Sequence, residues 1–158
     1  MSAIILEKKD IVRALMEDGM TWRWERMLPA ESVYLCPDMQ HLQQVVFPYF
    51  WADLFDQDLT TYHKWWDCNK FSVALYDYVC KSHAKCCLLR RNKGLMVAPG
   101  ISFGFLLYDR DQGGKHALNF AIVNKDGDPR VVYVEPQNRP HIVTLSAIEK
   151  LNVTGGMI

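Results

Sequence analysis

The apolar positions change spacing along the chain, and each spacing fits one kind of element. Ile11, Val12, Leu15 and Met16 repeat at helical intervals, with Asp10 placed to cap the helix and Gly19 to stop it. Met20 to Cys36 alternates around Trp22 and Trp24 and breaks at Pro29, so any strand there is short. Asp38 can cap a second helix that turns Met39, Leu42, Val45 and Val46 to a core and ends at Phe47-Pro48. Tyr49 to Trp66 has no clear period. Its Trp51, Phe55, Trp65 and Trp66 read as buried surface, a carbohydrate-stacking platform being the alternative use of the same rings.

The second half is more regular. Phe71, Ala74, Leu75, Tyr78 and Val79 predict a buried helix that starts close to Asp67 and ends in the charged segment Arg90 to Gly94. Asp67 is the natural N-cap, which places Cys68 in the first turn. Ile101 to Tyr108 alternates as a strand, and Asp109 to Lys115, with Gly113-Gly114, is a turn that gives flexibility at the mouth of a cleft. His116 to Val123 and Arg130 to Glu135 flank Asn124 to Pro129 as a hairpin. Ser146 to Glu149 has the capping-box pattern of a short last helix. The expectation is one α+β domain over 1–158, with a helical part in 1–50 and a motif-bearing core at about 60–140. In it, N-terminal helices and a central helix starting near Cys68 pack on a small antiparallel sheet.

Composition narrows the functional classes. A chain of 158 residues that is 49% apolar can bury a core without disulfides or metals as staples. Its 18 basic and 18 acidic residues balance, which argues against a global field for nucleic acid or an anionic membrane. Ile4, Ile5 and Leu6 are too short an apolar run for a signal peptide or a spanning helix, so the chain reads as cytoplasmic. Five cysteines, an odd number, read as free thiols.

Candidate chemistry comes from the hairpin. If Val123 faces Arg130, facing residues share one sum, so Leu118 faces Glu135 and His116 faces Gln137. Side chains alternate with period two, so His116, Leu118, Glu135 and Gln137 project from one face, with His116 and Glu135 as diagonal neighbours. An acid or amide beside one imidazole nitrogen fixes its tautomer and leaves the other as a base. Cys68, at a helix N-terminus, has the positive end of the macrodipole to favour thiolate. A nucleophile, a base and an orienting acid are thus on offer, although Cys68 as a core thiol and His116 as a satisfied core histidine are the readings of each residue alone.

Trp66-Asp67-Cys68-Asn69-Lys70-Phe71, His116-Ala117-Leu118-Asn119-Phe120, Asp126-Gly127 and Val134-Glu135-Pro136-Gln137 together resemble the papain-like cysteine protease domains. The likeness is to the domain at the C-terminus of a fungal chimeric agglutinin and to small bacteriophage and bacterial proteins, over roughly residues 60 to 140. The resemblance implies a papain-like fold and a cysteine peptidase or amidase. Cys68 would be the nucleophile, His116 the general base and Glu135 the orienting residue, with Gln137 beside it. It also implies a peptide or protein substrate and a requirement for a divalent cation such as calcium, although the residues themselves call for no cofactor. A phage-encoded protein would work in the host cytoplasm. The alternatives are a non-enzymatic interaction protein on the same scaffold that binds a host protein, and a thioester-using acyltransferase.

Other motifs carry less. On a continuous helix Cys80, His83 and Cys87 share a side and can supply three zinc ligands, but no fourth is evident, and packed thiols at a helix end are the favoured reading. Cys36 and His41 are a weaker pair of the same kind. Lys85, Arg90, Arg91 and Lys93 read as a solvated helix end rather than a nucleic-acid surface. Gly113-Gly114-Lys115 is no phosphate loop, because no helix follows it.

Overall fold

A computed structural model describes residues 4–20, 33–95, 97–125 and 128–158. The stretch around Trp22, Trp24 and Pro29, and Asp126-Gly127, lie outside them. In chain order the elements are β1 (Ile5–Glu7), α1 (Lys8–Glu17), β2 (Val33–Leu35), α2 (Met39–His41), a π-helical turn (Leu42–Val46), α3 (Phe47–Asp56), α4 (Cys68–Asn92), β3 (Gly100–Ile101), β4 (Phe103–Asp109), β5 (Lys115–Lys125), β6 (Asp128–Glu135), β7 (His141–Val143), α5 (Ala147–Leu151) and β8 (Val153–Met157). The five-stranded sheet runs β7-β6-β5-β4-β8 with antiparallel neighbours throughout. A small second sheet runs β1-β2-β3. The α+β class is as expected, with a long helix packed on antiparallel strands.

Alternation along the strands divides the core between two faces of the large sheet. Leu106, Tyr108, Leu118, Phe120, Ile122 and Tyr133 pack with Ile11, Ala14 and Leu15 of α1. On the other face, Phe103, Ala121 and Val134 meet Phe71, Leu75 and Val79 of α4 and Phe47, Phe50 and Leu54 of α3. Burial of each large side chain contributes about 1.5–3 kcal/mol, so the α4 stripe alone fixes that helix against the sheet. Met16, expected in the core, is exposed, because Ile11, Ala14 and Leu15 already cover the buried face of α1.

Two departures have simple causes. The second helix does not end at Phe47-Pro48. Asp38 caps it as expected, accepting from Gln40 and His41, but the helix passes through Pro48 into α3. Proline has no N–H for an intrahelical bond, and the chain absorbs the fault in a π turn where the Phe47 N–H reaches back to the Leu42 carbonyl. The sheet is also wider than the Ile101–Glu135 reading, since β7 and β8 flank it. At the β8 edge a Cβ on Gly156 would sit 2.7 Å from the Phe105 carbonyl, so β4 and β8 approach as they do because glycine stands there.

Candidate functional site

The site is assembled where the first turn of α4 meets the start of β5 and the end of β6. Asp67 caps α4 with its carboxylate accepting from the Lys70 N–H at 3.3 Å, and its other oxygen meets Lys70 Nζ at 3.1 Å. Cys68 is therefore held in the first turn, half-buried, with Asn69 Oδ1 at 3.8 Å from its sulfur. The hairpin register is the expected one, Val123 opposite Arg130 and Asn119 opposite Val134. It carries Glu135 and His116 onto one face, where His116 Nε2 and Glu135 Oε2 are 2.6 Å apart.

Glu135 engages Nε2, which leaves Nδ1 as the nitrogen through which His116 can favour the Cys68 thiolate. His116 is only 4% exposed. Burial pulls the imidazolium down, but bonding to Cys68 and Glu135 outweighs it and holds the ring protonated up to about pH 9. The Cys68 thiol is pulled below its ordinary value by the hydrogen bond from His116, against the opposing effect of burial, and the Ala117 N–H helps. His116 thus holds its proton through neutral pH, and its imidazolium biases Cys68 towards thiolate. Gln137 lies beyond the last residue of β6 and meets the site through its backbone, its N–H donating to Glu135 Oε1 at 3.1 Å. Tyr108 stacks edge-on against His116, with ring centroids 5.7 Å apart.

The other thiols are unlike Cys68. Cys36 is pushed up to about 11 by burial, and burial also raises Cys80 and Cys87. Cys87 lies 3.3 Å from His83 Nε2, and that nitrogen is also 3.1 Å from the Ala98 carbonyl, so this imidazole is occupied by its own backbone. Among the described residues no group of three or more His, Cys, Asp or Glu could hold a metal ion. That counts against the zinc reading of Cys80, His83 and Cys87. No helix among the described residues is long and apolar enough to cross a membrane. Lys85, Arg90, Arg91 and Lys93 are exposed.

The aromatic stretch before Cys68 corrects an expectation. Phe55 and Trp65, read as buried, are 70% and 64% exposed. Backbone bonds between His63 and Trp66 in both directions, at 3.0 and 2.9 Å, close a turn with Lys64-Trp65 at its tip. Trp66 packs edge-on against Phe71 and anchors the turn on α4, so Trp65 points outward. One face of its indole is stacked on His63, centroids 4.9 Å apart and planes within 7°. Three peptide units separate Trp65 from Cys68, so their Cα atoms are at most about 11 Å apart. A groove of about 530 Å³ lies between α3 and the loop after β6, lined by Trp51, Phe55 and Arg139 among others. Asn138 and Arg139 there hold left-handed backbone, with φ of 53° and 68°.

The chain matches no protein-family model and no curated protein sequence. Solved structures do match over 98% of its length. A crystal structure of Polyporus squamosus lectin bound to a human-type influenza-binding epitope superposes with a TM-score of 0.64 at 14% identity, 49% of that chain being covered. A PSL1a-E64 complex superposes with a TM-score of 0.59 at 17% identity, 51% of that chain being covered. The chain thus spans about half the length of these structures, and at such identity the likeness is one of fold. It overturns the expectation of a papain-like cysteine protease and of a peptidase or amidase, since the shared fold is that of a lectin structure. Nothing in these likenesses points to a bacteriophage protein. The physical reason for the misreading is that a thiol at a helix N-terminus beside a histidine and an acid is a local geometry. It recurs on unrelated folds and does not by itself identify a family or a reaction.

Proposed function

We propose that this chain is a non-catalytic binding domain whose ligand lies across Trp65 and reaches towards the Cys68–His116–Glu135 cluster, and that the ligand is a neutral saccharide. The observation that carries the proposal is the outward Trp65 ring, braced by His63 and close in sequence to the polar cluster that Cys68 belongs to. A rigid, solvent-facing indole offers an apolar face to sugar C–H groups at little entropic cost, while adjacent charged and amide groups take the hydroxyls. The charged groups around the site balance, Glu135 against His116 and Asp67 against Lys70, so no excess positive charge selects an acidic sugar over an uncharged one. The fold likeness to a lectin structure supports the same class of ligand.

The test is titration of the protein with a panel of neutral oligosaccharides, followed by tryptophan fluorescence, with recovery of the sugar afterwards. Covering about 50 Å² of indole is worth roughly 1.3 kcal/mol, so Trp65→Ala should weaken binding about tenfold while leaving the sugar chemically unchanged. Affinity that survives Trp65→Ala, or a panel without a single binder, would overturn the proposal. Binding lost on Trp51→Ala instead would move the site to the groove beside α3.

A further inference from the structure

Asn119 is buried completely, at 0% exposure, in the layer between α4 and the sheet. Alternation along β5 turns it away from the face that carries His116 and Glu135 and towards α4. There its amide donates to the Ser72 carbonyl at 2.9 Å and to the Gly104 carbonyl at 3.2 Å. One side chain therefore ties the second turn of α4 to both β4 and β5. Its Oδ1 and the neighbouring Ser72 hydroxyl are buried without a hydrogen-bond partner. An apolar side chain would avoid that cost, so what asparagine adds here is its two donors.

The spacing explains what those donors do. Ser72 follows Cys68 by four helical residues, a rise of about 6 Å. Asn119 follows Ala117 by two strand residues, an advance of about 6.8 Å. Helix and strand thus keep step over this stretch, with Ala117 acting on Cys68 at one end and the Asn119 amide bonded to the Ser72 carbonyl at the other. The Cys68 end is exposed to sliding, because the sulfur is half-buried at a helix terminus, whereas the Ser72 end is fully enclosed.

We infer that Asn119 is a positioning residue that locks α4 in register with β5 and so holds the Cys68 sulfur against His116. It touches no ligand and acts only through the helix. The inference rests on the thiol–imidazole geometry and is independent of which ligand the pocket takes.

The experiment is the pH profile of iodoacetamide alkylation at Cys68, read by peptide mass spectrometry, in the wild type, Asn119→Ala and Ile122→Val. Ile122 is equally buried but packs on the opposite face of the sheet, so it controls for general destabilisation. Asn119→Ala should shift the midpoint of the profile upward, towards 9.0, the ordinary thiol value, with less thiolate and slower alkylation at a given lower pH. Ile122→Val should leave the midpoint in place. If Asn119→Ala does not fold, the isosteric Asn119→Asp serves, since its carboxyl group offers at most one of the two donors and the midpoint should still rise. An unshifted profile in a folded Asn119 variant, or an equal shift in Ile122→Val, would overturn the inference.

Discussion

A thiol-directed probe reads the asymmetry among the cysteines directly. At pH 7 a thiol at the ordinary value of 9.0 is about 1% ionised, while Cys36, pushed to about 11, is about 0.01% ionised. Thiolates of more acidic thiols are weaker nucleophiles, and two units cost a factor of about 6 to 10. Even with no lowering at all, Cys68 would alkylate about tenfold faster than Cys36. Each unit of lowering by His116 adds roughly another factor of three, until Cys68 is fully ionised. The assay is a short iodoacetamide pulse between pH 6 and 8 on the folded protein, quenched, digested and quantified cysteine by cysteine. Cys68 should lead Cys36, Cys80 and Cys87 by more than tenfold at the acid end, and His116→Ala should remove most of that lead. Equal, slow labelling of these four thiols, or a lead that persists in His116→Ala, would refute the argument that the imidazolium sets the reactivity of Cys68.

Two further outcomes follow from the same geometry and from the core. Folded His116 keeps its proton to about pH 9, whereas an unfolded imidazole loses it near 6.5, so taken alone it stabilises the fold fully below 6.5 and that contribution disappears as pH passes 9. Cys68 has the opposite sign, because its lowered thiol releases a proton that the unfolded chain keeps up to 9.0. Where Cys68 is ionised and below about pH 9 the two cancel, and this pair gives no pH slope to stability. Cys68→Ala unmasks the His116 contribution, still supported by Glu135, and denaturation by urea should then show stability falling with rising pH by up to about 1.4 kcal/mol per unit. A flat profile in that variant would contradict the carboxylate's part in holding the ring charged. Leu75→Ala empties a fully buried position between α4 and the sheet and should cost about 2–5 kcal/mol in urea unfolding, a loss under 1 kcal/mol showing that α4 is not packed as described.

Much of the site was legible because two periodicities are strict. The start of α4 followed from Asp67 as a cap ahead of Phe71, Leu75 and Val79, and the His116–Glu135 meeting followed from period two once one hairpin pair was placed. What was illegible depended on contacts between distant parts. Gly155-Gly156 carries no strand propensity, and β8 forms because glycine lets it approach Phe105 closely. Trp65 and Trp66 are adjacent aromatics with no period to say which is core. Only the bridge between His63 and Trp66, and the Phe71 ring against Trp66, decide that Trp65 faces out. Asn119 looked like one more strand residue until its amide was seen to join α4 to β4. The family reading failed for a related reason. The residues at Cys68, His116 and Glu135 report a local arrangement, whereas the fold likeness is set by all the elements together.

The central claim is that Glu135 and Cys68 together hold His116 as an imidazolium beside the N-terminus of α4. The most direct measurement is an NMR titration of the His116 ring in the intact protein, with Cys68→Ala beside it. The account predicts an imidazolium that persists to about pH 9 in the wild type and a lower midpoint once the thiolate is gone. A His116 ring that titrates at or below 6.5 in the wild type, or whose midpoint ignores Cys68→Ala, would contradict it.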